Sequence, residues 1–239
     1  MTNNHYSRLQ TDILRLEGFK NQHSAVVDIC LGEMRHAFPN QSFPIACVHE
    51  FLTSNALDNA ASCGFLSAVL SSLTGSSGVV IWVGSKQKIF PNALKSFGVQ
   101  PHNIVFVNVQ KEADARWVMN EALKCSAVTA VVGELNDVSF NESRRLQLAV
   151  EESRATGFII RNARKTKNSA CVSRWKISPL ASKSIDDLPG PGFPRWKAEL
   201  LRMRNGRPGC WEVQWINGQF AVNSKPGDFS ERQYDLKAG

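Results

Sequence analysis

Apolar positions along this chain recur with two periods that alternate. The clearest case is the stretch from Ala127 to Ile160. Residues 128–135 (VTAVVGEL) form a short run rich in β-branched side chains, which predicts a buried strand. Leu146, Ala149 and Val150 then recur at helical spacing, with Arg144, Arg145, Glu151 and Glu152 on the other side. That pattern predicts an amphipathic helix, opened by Asn141 as N-cap with Glu142 in its first turn and closed by Gly157. Residues 158–160 are a second apolar run. Strand, helix and strand without a hairpin turn predict a right-handed crossover in a parallel sheet.

The same alternation organises the rest of the chain. Residues 6–16 read as a helix with Leu9, Ile13 and Leu16 on one stripe, and 26–35 as a second short helical stretch. Residues 38–44 carry two prolines and read as a loop. Strands are expected at 45–52 (IACVHEFL), 79–83 (VVIWV) and 104–109 (IVFVNV). Helices are expected at 64–73, 91–97 and 111–125, with a polar loop over 53–62. The repeat implies a doubly wound α/β sheet with helices on both faces. Beyond Ile160 the pattern changes. A basic loop (161–168, RNARKTKN) leads to a strand at 170–177 and a proline-rich linker at 178–194. Residues 196–204 and 209–216 then form an antiparallel hairpin around Asn205-Gly206. The tail from Asn217 is polar and is expected to be loose or to need a partner.

Composition narrows the class. A chain of 239 residues with 43% hydrophobic content suits one α/β domain. No apolar run approaches the roughly 20 residues of a membrane span, and the N-terminus lacks a signal pattern, so a cytoplasmic protein is expected. The six cysteines and five histidines are scattered without metal-ligand spacing, and the cysteines read as reduced core thiols. The net charge of +7 is uneven: residues 1–140 hold 10 basic and 11 acidic side chains, and residues 141–239 hold 18 and 10. The basic half suits a polyanion or an acidic partner surface, or simply water.

In an open α/β sheet, chemistry gathers beyond the carboxyl ends of the strands. A phosphate-binding loop there needs glycines for close backbone approach and a lysine for the phosphate charge. The corresponding stretch here, TSNALDNAAS, has no glycine, and no Lys or Arg occurs between His36 and Ser85. Asp58 adds repulsion. Glu134, at the end of the fourth strand, is either a residual Mg²⁺ ligand or a strand-end carboxylate facing solvent or capping a turn. No nucleophile–base arrangement or paired carboxylates are recognisable, so no enzyme activity, cofactor or metal is expected. The candidate nucleic-acid-binding residues are Arg161, Arg164, Lys165 and Lys167 after one strand, with Arg202, Arg204 and Arg207 in the hairpin. Trp175, Trp196, Trp211 and Trp215 either stack bases or belong to the core. The alternation of Trp211, Val213 and Trp215 favours core for at least one face.

Several of these segments resemble the ATPase core of the RecA recombinase. IACVHEFLT resembles the strand before its phosphate loop, AVTAVVGEL its second acidic strand, and GFIIRNARKT the strand entering its DNA-binding loop. VVDICLG, PNALKSFGVQPHNIVFV and RWKAELLRMRNGRPGCWEVQW resemble its lead-in segment, a helix-turn-strand and its C-terminal hairpin. On that register the family's catalytic Glu falls on Lys86, its phosphate-loop Lys on Asn59, and its sensor Gln near Asn162. Both DNA-binding loops are cut down. GELNDVSFNESRRLQLAVEESRATGFIIR and SACVSRWKI resemble a narrower RecA-like family, ImuA, over about residues 25–217. Its most specific part is the stretch from Ser143 to Glu151. The resemblance implies a RecA-like P-loop NTPase-type core with a mostly parallel sheet, an antiparallel C-terminal hairpin and a nucleotide chamber that is filled in. Residues 1–24 would be a helical arm and 218–239 a tail. It implies a non-catalytic accessory of SOS-induced mutagenesis and translesion synthesis. The implied partners are a RecA-type recombinase and an ImuB-like polymerase-related protein, with DNA and further copies of the chain as additional contacts. The alternatives are a SulA-like cell-division inhibitor and a DNA-binding module that modulates the recombinase.

Overall fold

The computed structural model describes residues 29, 31–84, 89, 91–165, 168–183 and 192–222. The predicted helical arm, Lys86, Lys167 and everything beyond Val222 lie outside the described residues.

Nine strands form one sheet in the order β3-β2-β4-β5-β1-β6-β7-β8-β9. They are β1 (Val48–Thr53), β2 (Val80–Gly84), β3 (Ile104–Asn108), β4 (Ala130–Glu134) and β5 (Thr156–Asn162). β6 (Ser173–Lys183), β7 (Phe193–Met203), β8 (Gly209–Ile216) and β9 (Gln219–Val222) complete it. β1 to β6 pair in parallel. β7 to β9 continue the sheet antiparallel. The crossover helices are α1 (Ala56–Thr74), α2 (Pro91–Lys95), α3 (Glu112–Leu123) and α4 (Phe140–Ser153).

Side chains alternate along each strand, so the sheet has two apolar faces. Phe51, Phe158, Trp175 and Trp196 point to the α1 side, where they meet Phe65, Leu66 and Leu70. Val48, Val83, Val131 and Ile159 point to the other side, under Met119 and Leu123 of α3 and Leu146 and Val150 of α4. α3 and α4 bury one stripe each, as a half-exposed helix does. α1 is different: Phe65, Leu66, Ser67, Ala68, Val69 and Leu70 are all buried in succession.

Several expected boundaries change, each for a local reason. Most of the polar loop expected at 53–62 is helix. Asn55 caps α1, and Ala56, Ala60 and Ala61 are strong helix formers that carry no apolar periodicity to read. Gly64, taken as the helix start, lies inside α1, where a Cβ would meet Trp196 at 3.1 Å and Phe97 at 3.3 Å. Ser139, not Asn141, caps α4, in a reciprocal capping box with Glu142. Arg154 ends α4 in the left-handed region at φ 69°, so Gly157 is free to join β5. The expected linker is partly strand: β6 runs on through Pro179 to Lys183, and β7 begins at Phe193. The tail contributes β9, with Phe220 buried beside Trp215. Within the second helical stretch, the described residues form a 3-10 helix from Gly32 to Ala37.

Candidate functional site

β1 is joined to α1 by Ser54 and Asn55 alone. Asn55 is extended, and its Oδ1 accepts the Asp58 amide at 2.8 Å. The Asp58 carboxylate in turn accepts the Ser54 amide at 3.2 Å, and Asp58 is buried. The Asp58 amide in the first turn of α1 is thus capped by the Asn55 side chain, and the Asp58 carboxylate holds the preceding Ser54 amide. The expectation that the chamber is filled in is corrected in one respect. A cleft of about 770 Å³, lined in part by Thr53, Ser54, Asn55 and Ala56 of this turn, remains open along the carboxyl ends of β1, β4 and β5.

The cleft has an apolar side, including Leu94 and Phe97, and a polar side that includes Asn59, Gln110, Glu112 and Glu134. Asn59, at the register of the phosphate-loop lysine, lines it from the first turn of α1. Asn162 is exposed at the end of β5. Glu134 follows neither sequence reading alone, because it accepts the indole N–H of Trp82 across the sheet at 3.0 Å. Opposite it, Glu112 accepts the backbone and side-chain N–H of Asn136 at 2.9 Å each and the Asp137 amide at 3.2 Å. Burial alone would raise the Glu112 carboxyl. The Asn136 side chain, then the two amides and Arg116, outweigh it and hold the group below the usual carboxylate range. Among the described residues no group of three or more His, Cys, Asp and Glu side chains could hold a metal ion.

On the α3–α4 side of the sheet, below the loop that follows β5, lies a buried ionic network. Glu50 of β1 and Arg161 of β5 are each 1% exposed and are paired through Oε1 and Nη2. Glu50 Oε2 accepts Arg174 Nε at 2.5 Å and the Ser169 hydroxyl at 3.2 Å. Arg161 Nη1 donates to the Val138 carbonyl at 3.1 Å. Arg161 therefore is not a surface nucleic-acid residue: its side chain enters the sheet face because β5 continues to Asn162. Arg202 is part-buried and clamps the loop, with Nη2 donating to the carbonyls of Ser169 (3.0 Å) and Cys171 (2.6 Å). Burial, and then the neighbouring Arg174 charge, lower its pKa below the ordinary arginine value. Arg204 is exposed and donates to the Ala170 carbonyl at 3.0 Å. Arg164 is exposed, while the Lys165 side chain and Lys167 lie outside the described residues. The basic set thus separates into Arg161 in the core, Arg202 as a loop clamp, and Arg164, Arg204 and Arg207 at the surface.

The tryptophans resolve toward the core. Trp175, Trp196 and Trp215 are buried and Trp211 packs against the same cluster. Of the cysteines, Cys47, Cys63 and Cys171 are buried, Cys210 is intermediate and Cys125 is exposed, so the core reading fails for Cys125. Sequence reasoning passed over His49. It is fully buried, stacked against both Phe43 and Phe158, with Nε2 on the Pro44 carbonyl at 2.8 Å and Nδ1 on the Ser173 hydroxyl at 2.6 Å. Ser173 also accepts the Trp175 indole N–H at 2.8 Å.

No protein-family model matches the chain. Among solved structures it is similar to the RadB recombinase, with a TM-score of 0.53 and 13% identity, over 84% of this chain and 97% of that one. This likeness shows the fold, a RecA-like core. SulA from Pseudomonas aeruginosa matches at a TM-score of 0.42 and 20% identity over 50% of this chain and 100% of that one, too low to support the cell-division alternative. No helix among the described residues is long and apolar enough to cross a membrane. Two curated proteins named ImuA, from two strains of Caulobacter vibrioides, are each 32% identical over 190 residues, covering 74% of this chain and 78% of theirs. The chain belongs to the ImuA family.

Proposed function

We propose that this protein is a non-catalytic RecA-like accessory of error-prone DNA repair, acting through protein contacts and through DNA contacts at its basic loop. One observation carries the reading: Asn55 and Asp58 close the turn where a nucleotide-hydrolysing relative would hold phosphate. Phosphoryl transfer depends almost wholly on positioning and neutralising that charge. A core kept intact around a self-bonded turn retains surfaces rather than turnover. The partners that fit the family are a RecA-type recombinase and an ImuB-like polymerase-related protein. Arg164, Arg204 and Arg207 are the exposed described cations of the candidate set for a DNA backbone.

One binding experiment tests both parts. The purified chain is immobilised and offered its own organism's recombinase, the polymerase-related protein and single-stranded DNA. At least one protein is expected to bind. DNA affinity should fall by about tenfold or more between about 50 and about 200 mM salt, and the Arg164→Glu/Arg204→Glu variant should flatten that dependence. Failure of both proteins to bind sinks the accessory reading, and salt-independent DNA affinity sinks the electrostatic one.

A further inference from the structure

α3 and α4 lie side by side and leave a hollow of about 330 Å³ between them. Leu135, Val138 and Leu146, all buried, line its apolar base. Trp117 stands on the α3 wall at 66% exposure. An indole left that open to water forgoes the burial that its area would otherwise gain. Phe140 and Leu148 of α4 are also exposed, at 49% and 57%, so three of the six exposed large hydrophobics among the described residues sit on these two helices.

Charge on the rim is selective. Arg116 is spent on Glu112 at 3.5 Å and Glu142 at 3.2 Å. Arg145 lines the hollow, and Arg144 precedes it on α4. Both are exposed and form no hydrogen bond or ion pair among the described residues. A bare indole and the free Arg145 guanidinium beside an apolar base make the composition of a protein-binding hot spot. That guanidinium favours carboxylates on the incoming segment.

We propose that the α3–α4 hollow docks an acidic peptide segment of a protein partner, with one aromatic or aliphatic side chain seated against Trp117 and a flanking carboxylate on Arg145. A second copy suits the site poorly, because an isologous contact sets the same guanidiniums against each other. Nucleic acid suits it poorly too, since the base is apolar. The inference deepens the protein-contact part of the proposed function and rests on that part alone.

Selection of random peptides displayed on phage against the full chain tests it. Enriched sequences should carry Phe, Trp or Leu flanked by Asp or Glu. Synthetic copies should lose about tenfold or more in affinity for Trp117→Ala and for Arg145→Glu, and keep most of it for Arg145→Lys. Leu57→Ala, at an exposed site on α1, should bind as the parent does. All four changes are at exposed positions, and thermal unfolding verifies each fold. No enrichment, peptides without flanking acids, or equal binding to the Trp117 and Arg145 variants would overturn the proposal. So would concentration-dependent self-association abolished by Trp117→Ala, which would assign the hollow to a second copy. The partner-binding experiment above reads the whole surface, so its failure is distinct from failure at this hollow.

Discussion

Replacing Glu50 by Gln should lower the free energy of unfolding by about 3–5 kcal/mol. The substitution keeps the side chain's size and removes its charge. Two guanidiniums then lose their shared counter-ion: Arg161, fully buried and left facing the Asp137 carboxylate at the longer distance of 3.7 Å, and Arg174, which is mostly enclosed. Leaving such charges uncompensated costs far more than the pair contributed while intact. Against a typical total of about 5–15 kcal/mol, the loss is a large share of the fold's stability. Urea unfolding should show a lower midpoint with an unchanged slope. Glu50→Gln combined with Arg161→Gln should cost less than the sum of the single changes, because the second removes the charge that the first strands. The pair of Arg195 and Glu212, whose carboxylate is half exposed, is the internal comparison, and Glu212→Gln should cost about 1 kcal/mol or less. Equal effects at Glu50 and Glu212 would show that the Glu50 network is not the electrostatic centre described above.

The second large effect is in acid. Burial, opposed only in part by the Pro44 carbonyl, lowers the His49 pKa from 6.5 to about 4. The folded state therefore keeps a neutral imidazole where the unfolded chain takes up a proton. The stability contribution is intact above pH 6.5 and is lost as the pH falls toward 4. The loss reaches about 2 kcal/mol by pH 5 and about 3 kcal/mol by pH 4. Glu112 and Glu142, whose pKa values are lowered, act only below the ordinary carboxylate range, so the window from 6.5 to 4.5 belongs to His49. His49→Gln should be less stable than the parent at pH 7 and should lose most of the slope in that window. Denaturant unfolding at stepped pH measures it. A parent protein whose stability is flat from pH 7 to 4.5 would contradict the neutral, enclosed imidazole.

The sheet and its crossovers were legible because period-2 apolar runs alternate with amphipathic helices. The hairpin was legible because Asn205-Gly206 separates two such runs, and Asn205 does adopt a positive φ of 56°. α1 was only half legible, because a helix buried over consecutive residues and opened by Asn55 and alanines has no polar face to mark its phase. The lack of a glycine-rich, lysine-bearing loop after β1 was legible from residue types, but the turn's own bonding was not, since it depends on the Asp58 carboxylate folding back to the Ser54 amide. Arg161 was misread because its neighbours in sequence are basic and polar, while its neighbours in space are Glu50 and Val138. A signal was available in IACVHEFL: a lone Glu and a lone His inside an apolar strand must each meet a buried partner. Those partners are Arg161 and Arg174 for Glu50, and Ser173 and the Pro44 carbonyl for His49.

In the proposed non-catalytic role the Ser54 and Asp58 amides stay bonded to Asp58 and Asn55 and are not offered to a triphosphate. Titration calorimetry of the purified chain with ATP and Mg²⁺, followed by a phosphate-release assay on the same sample, addresses it most directly. The account predicts no saturable heat and no release above the protein-free rate. Saturable binding accompanied by steady phosphate release would contradict it.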